Sequence, residues 1–191
     1  MIDEPWSGLH IEPVARGALA QFMKDPELQQ LYAYWCARFP GGGALLPGRQ
    51  HIDPLDIPRL LPSVQLADVE PGPRIRYRLV GANLVQHHDV NFTGRYLDEL
   101  VVGPLLGVLT ALYRRAIDER AAVYCETTVR REGLNASATC RLLMPLARDG
   151  KTVDMIFCGQ TYHYASELRE RVLDVGRDDG IPRDTAAWVE R

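Results

Sequence analysis

An α+β domain, one antiparallel sheet with helices packed on it, follows from three features of the 191-residue chain. Five segments rich in β-branched and aromatic residues are separated by turn dipeptides. Between the second and third of them a long stretch keeps a helical period instead. The resulting order, helix, two strands, several helices, three strands, buries its apolar faces most simply as a single sheet covered by helices.

The first helix is announced by Asp25-Pro26-Glu27: a side-chain acceptor at the N-cap, proline at the first helical position and a carboxylate near the positive helix end. Leu28, Leu31, Tyr32, Trp35 and Phe39 recur at three- and four-residue spacing, and Pro40 with Gly41 to Gly43 ends the pattern, so the helix should run to about Phe39. A weaker stripe of Val14, Ala18, Leu19 and Phe22 suggests a short helix upstream, over Pro13 to Lys24. Residues Leu46 to Pro62 carry Pro54, Pro58 and Pro62 with Asp53 and Asp56 placed to cap turns, which makes a stiff, partly helical connector. Its expected role is to dock the N-terminal helix on the sheet through Ile52, Leu55, Ile57 and Leu60.

Strands are expected near 64–70, 74–81, 122–131, 136–148 and 152–164. The first two flank Pro71-Gly72-Pro73, with Ile75, Tyr77 and Leu79 alternating against Arg74, Arg76 and Arg78 as a hairpin with one wet face. The last three form a meander divided at Glu132-Gly133 and Asp149-Gly150. Between the two groups, Leu105, Leu106, Leu109, Leu112, Tyr113, Ala116 and Ile117 end a helical insert in a long helix. After Ala165 the chain is dense in charge and should form a short helix and a loose tail. The domains read as an N-terminal helical extension over 1–45, a core over 46–164 and a charged helix and tail over 165–191.

A net charge of −3 gives no bias toward nucleic acid. No apolar run approaches the roughly 18 residues that span a bilayer, and Val101 to Leu112 is interrupted by Gly103, Pro104 and Gly107. Cys36, Cys125, Cys140 and Cys158 are widely spaced, and residues 1–6 lack the charged and apolar regions of a signal peptide. A cytoplasmic protein without membrane insertion is the expectation.

Three motifs point further. Trp35 followed by Leu46-Pro47-Gly48-Arg49, Ile52-Asp53-Pro54 and Asp56 to Pro62 resembles the opening motif of a small PAS-domain subfamily of bacterial proteins. Arg76 to Gly81 and Phe92 to Glu99 resemble that subfamily's second strand and the turn before its long helix. The resemblance covers about Gln29 to Tyr164 and implies a five-stranded antiparallel sheet in the order 2-1-5-4-3, with a helical lid on one face. It does not imply one chemistry, because PAS domains bind haem, flavin, organic acids or nothing, and many act only by dimerising.

The implied function is a sensory or regulatory module that works through signalling partners, with a small apolar or organic-acid ligand as an option and no cofactor. The ligand cavity, if open, should lie between Leu84, His88, Leu105, Leu109 and Tyr113 on the helices and Leu79, Cys140, Leu142, Met144 and Ile156 on the sheet. His87 and His88 invite a haem or metal reading, but adjacent helical residues point about 100° apart and no cluster at metal spacing surrounds them. The run His88 to Gly94 lacks the cysteine that flavin photochemistry would need, and the strand cysteines fit core packing better than redox sensing.

Arg74, Arg76 and Arg78 could form an anion-binding strip or simply a solvated face. No nucleophile elbow, phosphate loop or metalloprotease motif is present, which disfavours an enzyme. The enzymatic alternative, a cone-shaped α+β pocket, would want a carboxyl group among inward strand positions, where none is read. A homodimer is expected from the broad apolar face of the N-terminal helix, with Leu28, Leu31, Tyr32 and Trp35 beside Tyr34 and Phe39.

Overall fold

The computed structural model describes residues 10–15, 19–23, 25–40, 45–72, 74–129, 137–164 and 185–190. In chain order the elements are β1 (His10–Ala15), α1 (Leu19–Phe22), α2 (Pro26–Cys36), three short 3-10 turns, β2 (Val64–Glu70) and β3 (Arg74–Val80). Then come α3 (Ala82–His88), α4 (Leu97–Leu100), α5 (Pro104–Asp118), β4 (Val123–Val129), β5 (Ser137–Leu146), β6 (Met155–Tyr164) and β7 (Thr185–Glu190).

The five expected strands form an antiparallel core in the order β3-β2-β6-β5-β4, which is 2-1-5-4-3 when the core strands alone are numbered. The first and last core strands are neighbours, Val64 pairing with Gly159 and Asp68 with Met155. The chain leaves β3 at one edge of the core and re-enters at β4 on the other, so α3 to α5 must cross the sheet and become its lid.

Two strands extend this core. β7 pairs antiparallel with β4, and β1 pairs parallel with β7. One replaces part of an expected helix and the other a loose tail: Pro13 to Ala15 belong to strand β1, Leu19–Phe22 alone is helical among the described residues upstream of α2, and Thr185–Glu190 is β7 rather than coil. The physical reason is the open edge of β4, whose unpaired N–H and C=O groups offer any extended segment a ladder. Local charge density in the tail carries no information about that edge. Residues 165–184, where the tail helix was expected, and the turn at Glu132-Gly133 lie outside the described residues.

α2 follows its capping signal. Asp25 accepts from the amides of Glu27 at 2.8 Å and Leu28 at 3.2 Å, with Pro26 in the first turn. The helix ends at Cys36, a turn earlier than the spacing of Phe39 suggests, yet Phe39 still packs edge-on against Trp35 at 4.7 Å. At the opposite end of the core, Asp149 caps the β5–β6 turn by accepting from Lys151 and Thr152, and Gly150 takes φ 75° there.

The connector acts as a strut. Ile52, Ile57 and Leu60 are buried, and Asp53 caps its turn through Leu55 N at 2.9 Å. Tyr34 on α2 accepts from the amide of Asp53, and Asp56 pairs with Arg38 at 2.8 Å rather than capping a helix. Leu55, expected to dock, is instead 84% exposed. The strut approaches α3 so closely that a Cβ on Gly81 would sit 2.2 Å from the carbonyl oxygen of Pro62.

The two faces of the sheet are occupied differently. α2 lies on one face: a Cβ on Gly159 would come within 2.7 Å of Leu28 and Leu31, and Trp35 donates its indole N–H to the Pro145 carbonyl. By register Gly159, Phe157, Leu142, Met144 and Cys140 share this face. The lid lies on the other, where Tyr113 of α5 hydrogen-bonds Tyr77 of β3. Ile156, Cys158, Gln160, Tyr162, Gln65 and Arg141 share that side.

Candidate ligand cleft and the polar lid-face network

The lid face is unusually polar for a sheet interior. Gln65 is 2% exposed and Gln160 is 5% exposed, and the first donates its amide to the second at 2.9 Å. Gln160 in turn donates to the hydroxyl of Tyr162. Having accepted there, Tyr162 has its own O–H for Nε2 of His88, 2.8 Å away. His87 stacks flat on the Tyr162 ring, centroids 3.5 Å apart and planes 9° apart. One hydrogen-bonded line therefore runs from the centre of the sheet, through its last strand, to the lid helix α3.

Deeper under the lid, Tyr77 and Tyr113 are hydrogen-bonded to each other near Cys158. Burial pushes the Tyr77 phenol up to about 12 and the Cys158 thiol up to about 12, and raises Tyr113 well above its ordinary value. Burial likewise pushes Tyr162 up to about 12. These groups stay neutral at physiological pH and act as hydrogen-bonding core, not as nucleophiles.

Where β6 runs on past the end of β2, a cleft of about 780 Å3 opens between the first turn of α2, the end of the strut and α3. Its walls include Asp25 and Glu27 from α2, Ser63 and Asn83 from the strut end and α3, and Thr161 and His163 from β6. Gln86, His87, Gln160 and Tyr162 complete the polar lining, with Pro26 as its aliphatic member. Asp25, 6% exposed, is fully engaged: besides capping α2 it accepts from the Thr161 hydroxyl at 2.6 Å and from His163 Nε2 at 3.0 Å. That clasp ties the start of α2 to the end of the last core strand. Glu27 accepts from Ser63 at 2.9 Å, and Ser63 accepts from Asn83 at 3.1 Å.

A model of the PAS domain matches residues 23–159, well over half of the chain. The chain belongs to the PAS domain family. No curated protein matches it. The match begins just before the Asp25 cap and ends at Gly159, leaving the strands β1 and β7 outside it.

Membership of a PAS family with a sheet and lid of this form makes the placement of the expected pocket residues informative. Leu84, Leu109 and Tyr113 are buried under the lid, and Ile156 faces them from β6. Leu105 is half-buried and packs on the core, while His88 is exposed and meets Tyr162 and the buried ring of Phe92. Cys140, Leu142 and Met144, expected beside them, lie on the opposite face against α2, together with Phe157. The alternation of β5 marks Ala138, Cys140, Leu142, Met144 and Leu146 as its apolar row, but both faces of the sheet are covered by helices, and the apolar row turns to α2 while Thr139, Arg141 and Leu143 turn to the lid. Leu79 is 41% exposed: a bulge at Leu66/Ala67 pairs Leu79 with Leu66 and Tyr77 with Ala67, which turns Leu79 off the lid face.

The arginine strip is spent on carboxylates. Arg74 pairs with Asp98 at 2.9 Å and lies over the Tyr96 ring; Arg76 pairs with Glu70 at 3.0 Å and Asp68 at 3.3 Å, and Arg78 with Asp68 at 3.4 Å. The apolar stripe of α2 is equally committed, since Leu28, Leu31, Tyr32 and Trp35 are all buried within the chain. The argument for a dimer through that stripe is removed. Among the described residues, no three His, Cys, Asp or Glu side chains come together to hold a metal ion, and no helix is long and apolar enough to cross a membrane.

Sequence reasoning passed over Tyr162, Gln160, Gln65 and the Asp25–Thr161–His163 clasp. A signal was available for the glutamines: polar amides at positions where neighbouring strand residues are apolar demand partners. Nothing in the sequence pairs residues 136 or more positions apart, as Asp25 is paired with Thr161 and His163.

Proposed function

We propose that this PAS domain is a regulatory binding module, acting in the cytoplasm without a cofactor and reporting to partner proteins, in which the polar cleft receives a small molecule. PAS membership supports a sensory or regulatory role in signal transduction at the coarse level. The observation that carries the finer reading is the line Gln65–Gln160–Tyr162–His88. It shares Gln160 and Tyr162 with the cleft wall and ends on α3, so a ligand that pulls on either residue changes the lid surface that partners read.

A binder rather than an enzyme remains our reading: the described strand positions of the lid face hold amides, phenols, a thiol and Arg141 but no carboxyl group, and of the cleft's carboxylates Asp25 is saturated by four hydrogen bonds and Glu27 is held by Ser63. Self-association belongs to the proposal on the strength of the family, with its contact placed away from the buried stripe of α2. Light scattering that returned the monomer mass of 21.5 kDa at micromolar concentrations would remove it.

The coupling is tested by Tyr162→Phe, which deletes the hydroxyl between Gln160 and His88 at nearly constant volume. Amide exchange should quicken over residues 82–88 while residues 137–146 keep their protection. Unchanged exchange in α3 would sink the regulatory line. Any compound that raises the melting temperature should be recovered chemically unaltered by NMR, and its conversion would instead establish an enzyme.

A further inference from the structure

The regulatory reading leaves its ligand unnamed, and the chemistry of the cleft narrows the choice. At about 780 Å3 the cleft is sized for an organic molecule rather than a lone ion. Among the described residues its lining contains two carboxylates and no lysine or arginine, and Pro26 is the one aliphatic residue. A hydrocarbon therefore gains little there, and an anion meets like charge.

Of the carboxylates, Asp25 is saturated by four hydrogen bonds, two of them to the first amides of α2, so it screens the positive end of that helix from the cleft. Glu27 is different. One of its oxygens is held by Ser63, and the other takes no hydrogen bond among the described residues. It is a positioned acceptor with capacity to spare. Two further features select among its possible guests. Gln160 is buried and lines the cleft, and its amide oxygen, which accepts from Gln65, keeps a second lone pair for a donor on the guest. The stacked pair of His87 and Tyr162 adds aromatic surface, which attracts cations.

We propose that the cleft binds a small organic cation, an ammonium or guanidinium compound, with its charge on Glu27 and its remaining polar atoms on Gln160. This rests on the cleft being the ligand site of the regulatory reading, but its test separates the two.

The test is an NMR titration of the full chain, labelled with nitrogen-15, with agmatine as probe and glutarate as an anion of similar length. Agmatine should shift the amides of Glu27, Thr161 and Tyr162 saturably, and glutarate should not. Glu27→Gln should weaken agmatine about fivefold or more, the scale of one ion pair at a partly exposed site. Because Glu27→Gln also loosens Ser63, a second variant is needed: Gln86→Glu, on the exposed rim, adds a carboxylate without touching the network and should tighten agmatine. Absence of agmatine binding, equal binding by Glu27→Gln, or preference for glutarate would each overturn the proposal. Agmatine that binds as stated, yet leaves amide exchange in α3 unaltered, would uphold the ligand class and defeat the regulatory reading alone.

Discussion

The two faces of one sheet are built from opposite materials. Against α2 the sheet presents Leu142, Met144, Phe157 and Gly159, and the helix answers with Leu28, Leu31 and Trp35; the joint is apolar and close, down to a glycine that leaves no room for a methyl group. Against the lid the sheet presents Gln65, Gln160, Cys158, Tyr77 and Tyr162, and the lid answers with Tyr113 and His88. Apolar packing is indifferent to orientation in detail, whereas a line of hydrogen bonds works only in one arrangement. The first face is suited to holding the domain together and the second to changing state.

The comparison is broken most severely on the helix face. Trp35→Ala removes the largest side chain of that joint together with its bond to the Pro145 carbonyl, and should cost about 3–5 kcal/mol in urea unfolding. A cost near zero would mean that α2 is not the clamp described here.

The lid face should reveal itself through alkali. Cys158, Tyr77 and Tyr162 each have a folded-state value raised to about 12, so the folded chain holds protons that the unfolded chain releases from about pH 9 upward. Stability should be full below about pH 9 and fall progressively toward pH 12, by several kcal/mol in all. Urea melts at pH 8, 9, 10 and 11 read this loss. Cys158→Ala should flatten its first part, and a profile unchanged by that variant would place the alkaline sensitivity elsewhere.

Asp25 joins the faces, since its helix lies on one and its cleft partners close the edge of the other. Asp25→Ala should cost about 2 kcal/mol, at the upper end for a lost N-cap, because Thr161 and His163 lose their acceptor as well. Asp25→Asn keeps an acceptor for the cap and should recover at least half of that in thermal melts.

The smallest effects belong to the strut, which serves both faces from outside. Asp53→Ala should cost about 1 kcal/mol as a lost cap, and Leu55→Ser, at a position 84% exposed, should stay within about 0.5 kcal/mol. A larger loss at Leu55 would show that it meets a surface outside this chain.

Sequence patterns determined a good deal of this protein. The Asp25-Pro26-Glu27 cap, the proline-rich strut, the Asp149-Gly150 turn and the five core strands rest on local rules, which act between residues a few positions apart, and their order in the sheet is implied by the resemblance to PAS domains. Tertiary structure alone decided the rest. Which row of β5 faces the lid depends on strand register, and a single bulge at Leu66/Ala67 moved Leu79 from pocket to surface. The extra strands β1 and β7 answer an open edge at β4 that exists only once the sheet has formed. The cleft is assembled from α2, the strut, α3 and β6, and its clasp from Asp25 to His163 spans 138 positions. Local propensity cannot encode such a contact, because it is created when the sheet brings the ends of its chain segments together.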